Sequence, residues 1–188
     1  GDSLSMAAGR ARTIDLSQGG LSHTGGAFDL AIEGDGFFLV QTPQGERLTR
    51  AGAFTPNAAG DLVTPDGHRL LDAGGAPVFV PPDAETVAIA DDGTLSADGA
   101  PVARIGLWRP ADPAGLVREA GTLFAAEQGT EPVPEGGRIL QGRLEGSNVD
   151  PVAEMARMIE VQRAYELGQA FLERESDRRS KLIDTLTR

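Results

Sequence analysis

Glycine and proline recur every few residues up to Asp150 and then almost vanish. The 38 residues from Pro151 to Arg188 hold one glycine, Gly168, and no further proline. A long α-helix needs such a stretch, because an interior proline deletes a backbone donor and clashes with the preceding turn, and an interior glycine costs about 1 kcal/mol relative to alanine. Pro151 itself suits the first helical position, where a missing N–H costs nothing, and Asp150 before it can accept hydrogen bonds as an N-cap. A helix over all 38 residues would be about 57 Å long at a rise of 1.5 Å per residue. That exceeds the width of a body of about 150 residues, so part of it is expected to project or to pack on other chains.

Upstream, the pattern is that of short strands. Phe28, Leu30 and Ile32 alternate with Asp29, Ala31 and Glu33 up to Gly34-Asp35-Gly36, the period-2 signature of a half-buried strand. Residues 37–42 and 46–50 flank Pro43-Gln44-Gly45 and are expected to form a hairpin whose Gly45 takes a left-handed position. Further strands are expected at Asp61–Thr64, His68–Leu71, Val78–Val80, Thr86–Ala90, Thr94–Ser96, Pro101–Trp108, Thr122–Ala125 and Arg138–Gln141. Asp66-Gly67, Asp92-Gly93 and Asp98-Gly99 punctuate them as turns. No helix long enough to carry a parallel crossover fits between Ala27 and Val149, so the sheets are expected to be antiparallel. The fold class is therefore mainly β, turn-rich and antiparallel, with a long C-terminal α-helix. The expected organisation is an extended linker at 1–26, a β domain at 27–146 and a helix for axial packing at 147–188.

Composition and charge exclude several functions. The chain has no cysteine and a formal charge of −11, so thiolate metal sites, disulfides and a cysteine nucleophile drop out, and a nucleic-acid partner is disfavoured. Residues 27–149 carry 18 acids against 8 bases, whereas residues 150–188 carry 8 against 7; the acidity belongs to the β domain. No apolar run approaches the roughly 20 residues that span a bilayer, so no integral membrane segment is expected. The start has no basic and apolar leader of the secretory type.

Chemistry-bearing patterns are sparse. There is no phosphate-binding glycine loop, and Gly34-Asp35-Gly36 precedes Phe37-Phe38 rather than a helix. His23 and His68 stand without ligand-spaced partners. Asp91-Asp92-Gly93 and Asp98 lack the alternating carboxylates of a calcium loop and are expected to be hairpin turns. Ser147 follows Gly146 but precedes Asn148, so no nucleophile elbow is present. Trp108 is expected in the core. No catalytic, cofactor-binding or metal-binding residue is assigned. On the helix, Val152, Met155 and Ile159 form one apolar stripe, Met158, Val161, Tyr165 and Leu172 an adjacent one, and Leu182, Ile183 and Leu186 reappear near the end; two apolar stripes imply more than one neighbour.

Gln141-Gly142-Arg143-Leu144-Glu145-Gly146-Ser147-Asn148-Val149-Asp150-Pro151-Val152, followed by Glu154-Met155 and Ile159–Glu166, resembles the C-terminal signature of bacterial flagellar rod and hook proteins. Gly36–Val40, Leu48–Phe54, Gly60–Thr64 and Gly67–Leu71 resemble the β-domain segment of the same family. Within it, the compact middle region is most similar to proximal rod proteins, with distal rod proteins next.

The resemblance implies a structural, non-enzymatic subunit of the basal-body rod in the periplasm. It would assemble helically with copies of itself and other rod proteins, transmit torque, and leave the cell through the flagellar export apparatus. It implies inner-wall packing by Met155, Ile159, Gln162, Tyr165 and Leu172, and a body–helix junction set by Ser147, Asn148 and Asp150. It also implies an N-terminal, Asn-rich helix that pairs with the C-terminal one and is missing from this sequence, so the chain is expected to be truncated. Two other readings compete. A β-domain binding module for cell-wall or peptide ligands would need an apolar or aromatic groove. A cell-wall hydrolase would need a carboxylate pair, for which Asp91, Asp92 and Asp98 are the only dense source.

Overall fold

The computed structural model describes residues 16–119, 121–133, 136–149 and 151–186, with helix side chains described from 152 to 175. The strands in chain order begin with β1 (Leu21–His23), β2 (Leu30–Gly34), β3 (Phe38–Thr42), β4 (Gly45–Thr49) and β5 (Thr55–Pro56). They continue with β6 (Leu62–Val63), β7 (Arg69–Leu70), β8 (Val87–Ile89), β9 (Thr94–Ala97), β10 (Ala100–Arg104) and β11 (Trp108–Pro110). After a 3-10 turn at Pro113–Gly115 come β12 (Leu116–Arg118), β13 (Leu123–Ala126), β14 (Thr130–Pro132), β15 (Gly137–Gln141) and β16 (Arg143–Glu145). A single helix, α1 (Pro151–Leu186), follows. The chain divides into two compact units, Gly1–Ser147 and Asn148–Arg188.

All strand pairs are antiparallel. The largest sheet has the order β12-β13-β4-β3-β7-β6-β5; β10-β9-β8 form a second, and β15-β2, β11-β14 and β1-β16 are two-stranded. One core cluster gathers Leu30, Ile32, Phe38, Val40, Leu62 and Leu95 with their neighbours. A second lies on the opposite side of β3 and β4, around Phe37, Leu39, Leu48, Leu71 and Leu116. The alternation of Phe38 and Val40 against Phe37 and Leu39 sends successive side chains to two different cores, which is why the run 37–40 is apolar at every position rather than at every second one. Phe38 meets Phe54 edge to face at 5.3 Å.

Several strand bounds differ from the expected ones. The β3–β4 hairpin pairs Thr42 with Gly45, so its loop is the two residues Pro43-Gln44 and Gly45 (φ +110°) opens β4. Residues 101–108 do not make one strand. β10 ends at Arg104, and Gly106 passes so near Ala73 that a Cβ would lie 2.7 Å from the Ala73 Cα, bending the chain before β11. Residues 78–80 join the sheet only through an isolated bridge, Asp61 to Phe79, with Val78 donating to the Leu70 carbonyl at 2.9 Å. β1 lies inside the span expected to be a linker and pairs with β16 through Leu21–Glu145, Ser22–Leu144 and His23–Arg143.

The Asp-Gly turns fold as expected. Asp98 (φ +50°) and Gly99 (φ +81°) link β9 to β10, two left-handed residues whose twist matches that of the flanking strands. The Asp98 carboxylate fixes the turn by accepting from the Thr86 N–H at 2.8 Å and the Glu85 N–H at 3.1 Å.

Candidate assembly surfaces

On α1, every residue expected to pack against another subunit is solvent-facing: Met155 is 54% exposed, Ile159 51%, Tyr165 67% and Leu172 68%, and Gln162 is exposed as well. At 3.6 residues per turn, Met155, Ile159 and Gln162 fall within about 60° of arc, and Tyr165 and Leu172 lie about 80–100° round from Met155. The five residues therefore span two adjoining stripes. Polar groups among them are satisfied along the helix: Gln162 Nε2 donates to Glu166 Oε1 at 3.2 Å, and Gln169 Nε2 to the Tyr165 hydroxyl at 2.9 Å. The Tyr165 ring is thereby held while its apolar faces stay open. The side chains of Leu182, Ile183 and Leu186 lie outside the described residues.

Ser147, Asn148 and Val149 run as exposed, irregular backbone between β16 and α1; Asp150, the third residue expected at this junction and the expected N-cap, lies outside the described residues. Two residues upstream of Ser147 is a contact that sequence reasoning missed. Glu145 Oε2 accepts from Arg50 Nε at 2.8 Å, and Oε1 from Arg50 Nη2 at 3.3 Å and from the Gly19 N–H at 2.9 Å. The other arm of the guanidinium, Nη1, donates to the carbonyls of Gly34 at 2.9 Å and Gly36 at 2.7 Å. Arg50 thus ties the start of the described chain, the β2–β3 turn and β16 into one node, using the planar fork that only arginine offers. Its guanidinium carbon lies 5.9 Å from the Phe37 ring centroid, a cation–π distance.

Several carboxylates of the acidic body are engaged in turns and surface pairs. Arg47 Nε sits 2.8 Å from Glu119 Oε2; that hydrogen bond and the nearby charge hold the Glu119 carboxyl below the ordinary glutamate range. Asp92 is lowered too, chiefly by the N–H and hydroxyl of Thr94, which it caps. Of the three carboxylates a hydrolase reading would use, Asp92 is engaged by its own hairpin turn and Asp98 by the Glu85 and Thr86 N–H groups ahead of β8. Among the described residues no group of three or more acidic, histidine or cysteine side chains could hold a metal ion, and no described helix is long and apolar enough to cross a membrane. A shallow depression of about 280 Å³ is lined by Phe28, Pro56, Asn57, Val80, Pro81 and Val87 among others. No charged side chain lines it. Trp108 is half-buried, packs against the second core cluster and leaves its indole N–H without a partner.

Comparison with known proteins joins these features. Residues 31–97 match the family described as flagellar hook protein FlgE/F/G D1 domain, and residues 140–185 match the flagellar basal body rod FlgEFG protein C-terminal family. The first match spans β2 to β9, and the second runs from the end of β15 through β16 into α1. The chain is 40% identical over 173 residues to a flagellar basal-body rod protein FlgF of Caulobacter vibrioides, covering 92% of this chain and 71% of that protein. It is 37% identical over 186 residues to a FlgF of Mesorhizobium japonicum, covering 98% and 77%. A flagellar basal-body rod protein FlgG of Agrobacterium fabrum is 35% identical over 170 residues, covering 83% and 63%. With the β body and the helix both accounted for by the same group of proteins, this chain belongs to the flagellar hook and basal-body rod family.

Proposed function

We propose that the chain is a non-enzymatic structural subunit of the flagellar basal-body rod, of the proximal-rod type. It works in the periplasmic part of the rod, where it passes torque to copies of itself and to other rod proteins. The observation that carries this reading is the run of exposed apolar side chains on α1, from Val152 to Leu172, in a chain whose relatives are named as rod proteins. A helix with Met155, Ile159, Tyr165 and Leu172 open to water gains free energy only when those side chains are covered, at about 25 cal/mol per Å² removed from solvent. Head-to-tail contacts between such surfaces that do not close on themselves build helical tubes. In this reading Met155, Ile159, Gln162, Tyr165 and Leu172 make the subunit contacts. Ser147, Asn148 and Asp150 set the angle at which the helix leaves the β body. Export follows the flagellar route.

The test is genetic complementation with basal bodies isolated from the same cells. The gene encoding this chain is expected to restore swimming to a flagellated host lacking its proximal rod protein, to leave a distal-rod deletion non-motile, and to place its product in the rod fraction. Rescue of the distal-rod deletion instead would move the assignment to the distal rod. A product found only in the wall fraction would favour a wall-binding module.

A further inference from the structure

The β1–β16 ribbon is built differently from the rest of the β body. Its strands form a ladder only with each other, with the Arg143 N–H also donating to the Asp29 carbonyl at 3.3 Å, and neither Leu21 nor Leu144 belongs to either core cluster. Its attachment to the body is polar. Glu145 is clamped by Arg50, with side chains 7% and 20% exposed. Gln18, just ahead of β1, caps the free edge of β2 with its amide, donating to the Ile32 carbonyl at 3.1 Å and accepting from the Gly34 N–H at 3.2 Å. Glycines mark both ends of the ribbon. At one end, a Cβ on Gly19 would lie 2.1 Å from the Gly146 carbonyl oxygen. At the other, Gly25 (φ +74°) and Gly142 (φ +70°) are joined by an N–H to carbonyl bond of 3.1 Å.

We infer that this ribbon is a strap that opens as a unit, with Arg50 as its latch. Both segments leading out of the β body, the one before β1 and the one after β16, are then held or released together. A segment fastened by hydrogen bonds and one clamped carboxylate, and absent from the core, has a lower opening free energy than strands that share the core. Because each strand of the ribbon is the other's only ladder partner, neither can leave alone without stranding backbone groups of its mate. The inference rests on the β body itself and stands whether or not the chain is a rod subunit.

Hydrogen exchange read by mass spectrometry on the full chain tests it. Arg50→Ala is expected to speed exchange at least tenfold in peptides covering 18–24 and 143–146 alike, while β3, β4 and β15 exchange at wild-type rates. Glu145→Gln, which keeps the side chain's shape and removes its charge, is measured beside it and is expected to act in the same direction on the same peptides. Faster exchange spread equally over β3 and β4, acceleration in one ribbon strand without the other, or no change in either variant would overturn the strap.

Discussion

Arg50 Nε lies 2.8 Å from Glu145 Oε2, joining residues 95 positions apart, and the Glu145 side chain is 7% exposed. A charge pair this well shielded and hydrogen-bonded on both sides is worth more than a surface pair. A double-mutant cycle with Arg50→Ala and Glu145→Ala, measured by urea unfolding with Trp108 fluorescence as the signal, is expected to give a coupling of about 1.5–3 kcal/mol. A coupling below about 0.5 kcal/mol would place the pair with ordinary surface contacts.

Two glycines separate steric from conformational demand. A Cβ on Gly52 would lie 1.7 Å from the Leu30 carbonyl oxygen, whereas a Cβ on Gly67 would meet nothing within 4 Å, although Gly67 has φ +84°. Gly52→Ala must push β2, whose Leu30 N–H donates to the Gly52 carbonyl at 2.9 Å, away from that segment and is expected to cost more than about 3 kcal/mol. Gly67→Ala strains only its own backbone and is expected to cost about 1–2 kcal/mol. Comparable urea midpoints for the two variants would contradict the close approach at Gly52.

The two compact units each carry their own probe. Trp108, the single tryptophan, sits in the β body, and far-ultraviolet circular dichroism is dominated by α1, the only α-helix among the described residues. A helix whose apolar side chains are uncovered melts gradually, while a body with two buried core clusters unfolds cooperatively. On heating, ellipticity at 222 nm is expected to fall well before the tryptophan transition, which stays sigmoidal. Coincident curves would mean that the helix is stabilised by contacts within the monomer.

Much of this architecture was legible from residue pattern alone. The strand at Leu30–Gly34, the hairpin after Phe37 and the Asp-Gly turns are local, and local chemistry fixes them; the half-buried alternation expected of that strand is not seen, because Ala31 is buried along with Leu30 and Ile32. What escaped notice was set by long-range packing. β11, β12 and β14 are three residues each, too short for any periodicity to register. The break at Gly106 follows from the approach of Ala73, which nothing in the neighbouring sequence announces. Likewise the Arg50–Glu145 node has no sequence signature, because neither residue differs from an ordinary surface charge until the fold brings them together. The apolar stripes of α1 were readable because they are a helical repeat, and the resemblance to rod proteins gave them their expected neighbours.

Acid should weaken the body in part through Glu119. Its pKa is lowered by the Arg47 hydrogen bond, so the contribution is complete above the ordinary glutamate range and is lost as the pH falls through the depressed folded value. The stability difference between wild type and Arg47→Gln is expected to be constant near neutrality and to shrink below about pH 4. A difference that is the same at pH 3 and pH 7 would show that the pair does not couple to the proton.

The most direct test of subunit assembly through α1 is the motility of a rod-deficient flagellated host carrying Ile159→Asp or Tyr165→Asp. Both positions are more than half exposed, so neither substitution should alter the Trp108 unfolding transition of the purified chain. Both are expected to abolish swimming and to leave the protein out of isolated basal bodies. Wild-type swimming, with the variant protein present in the rod, would contradict assembly through this face.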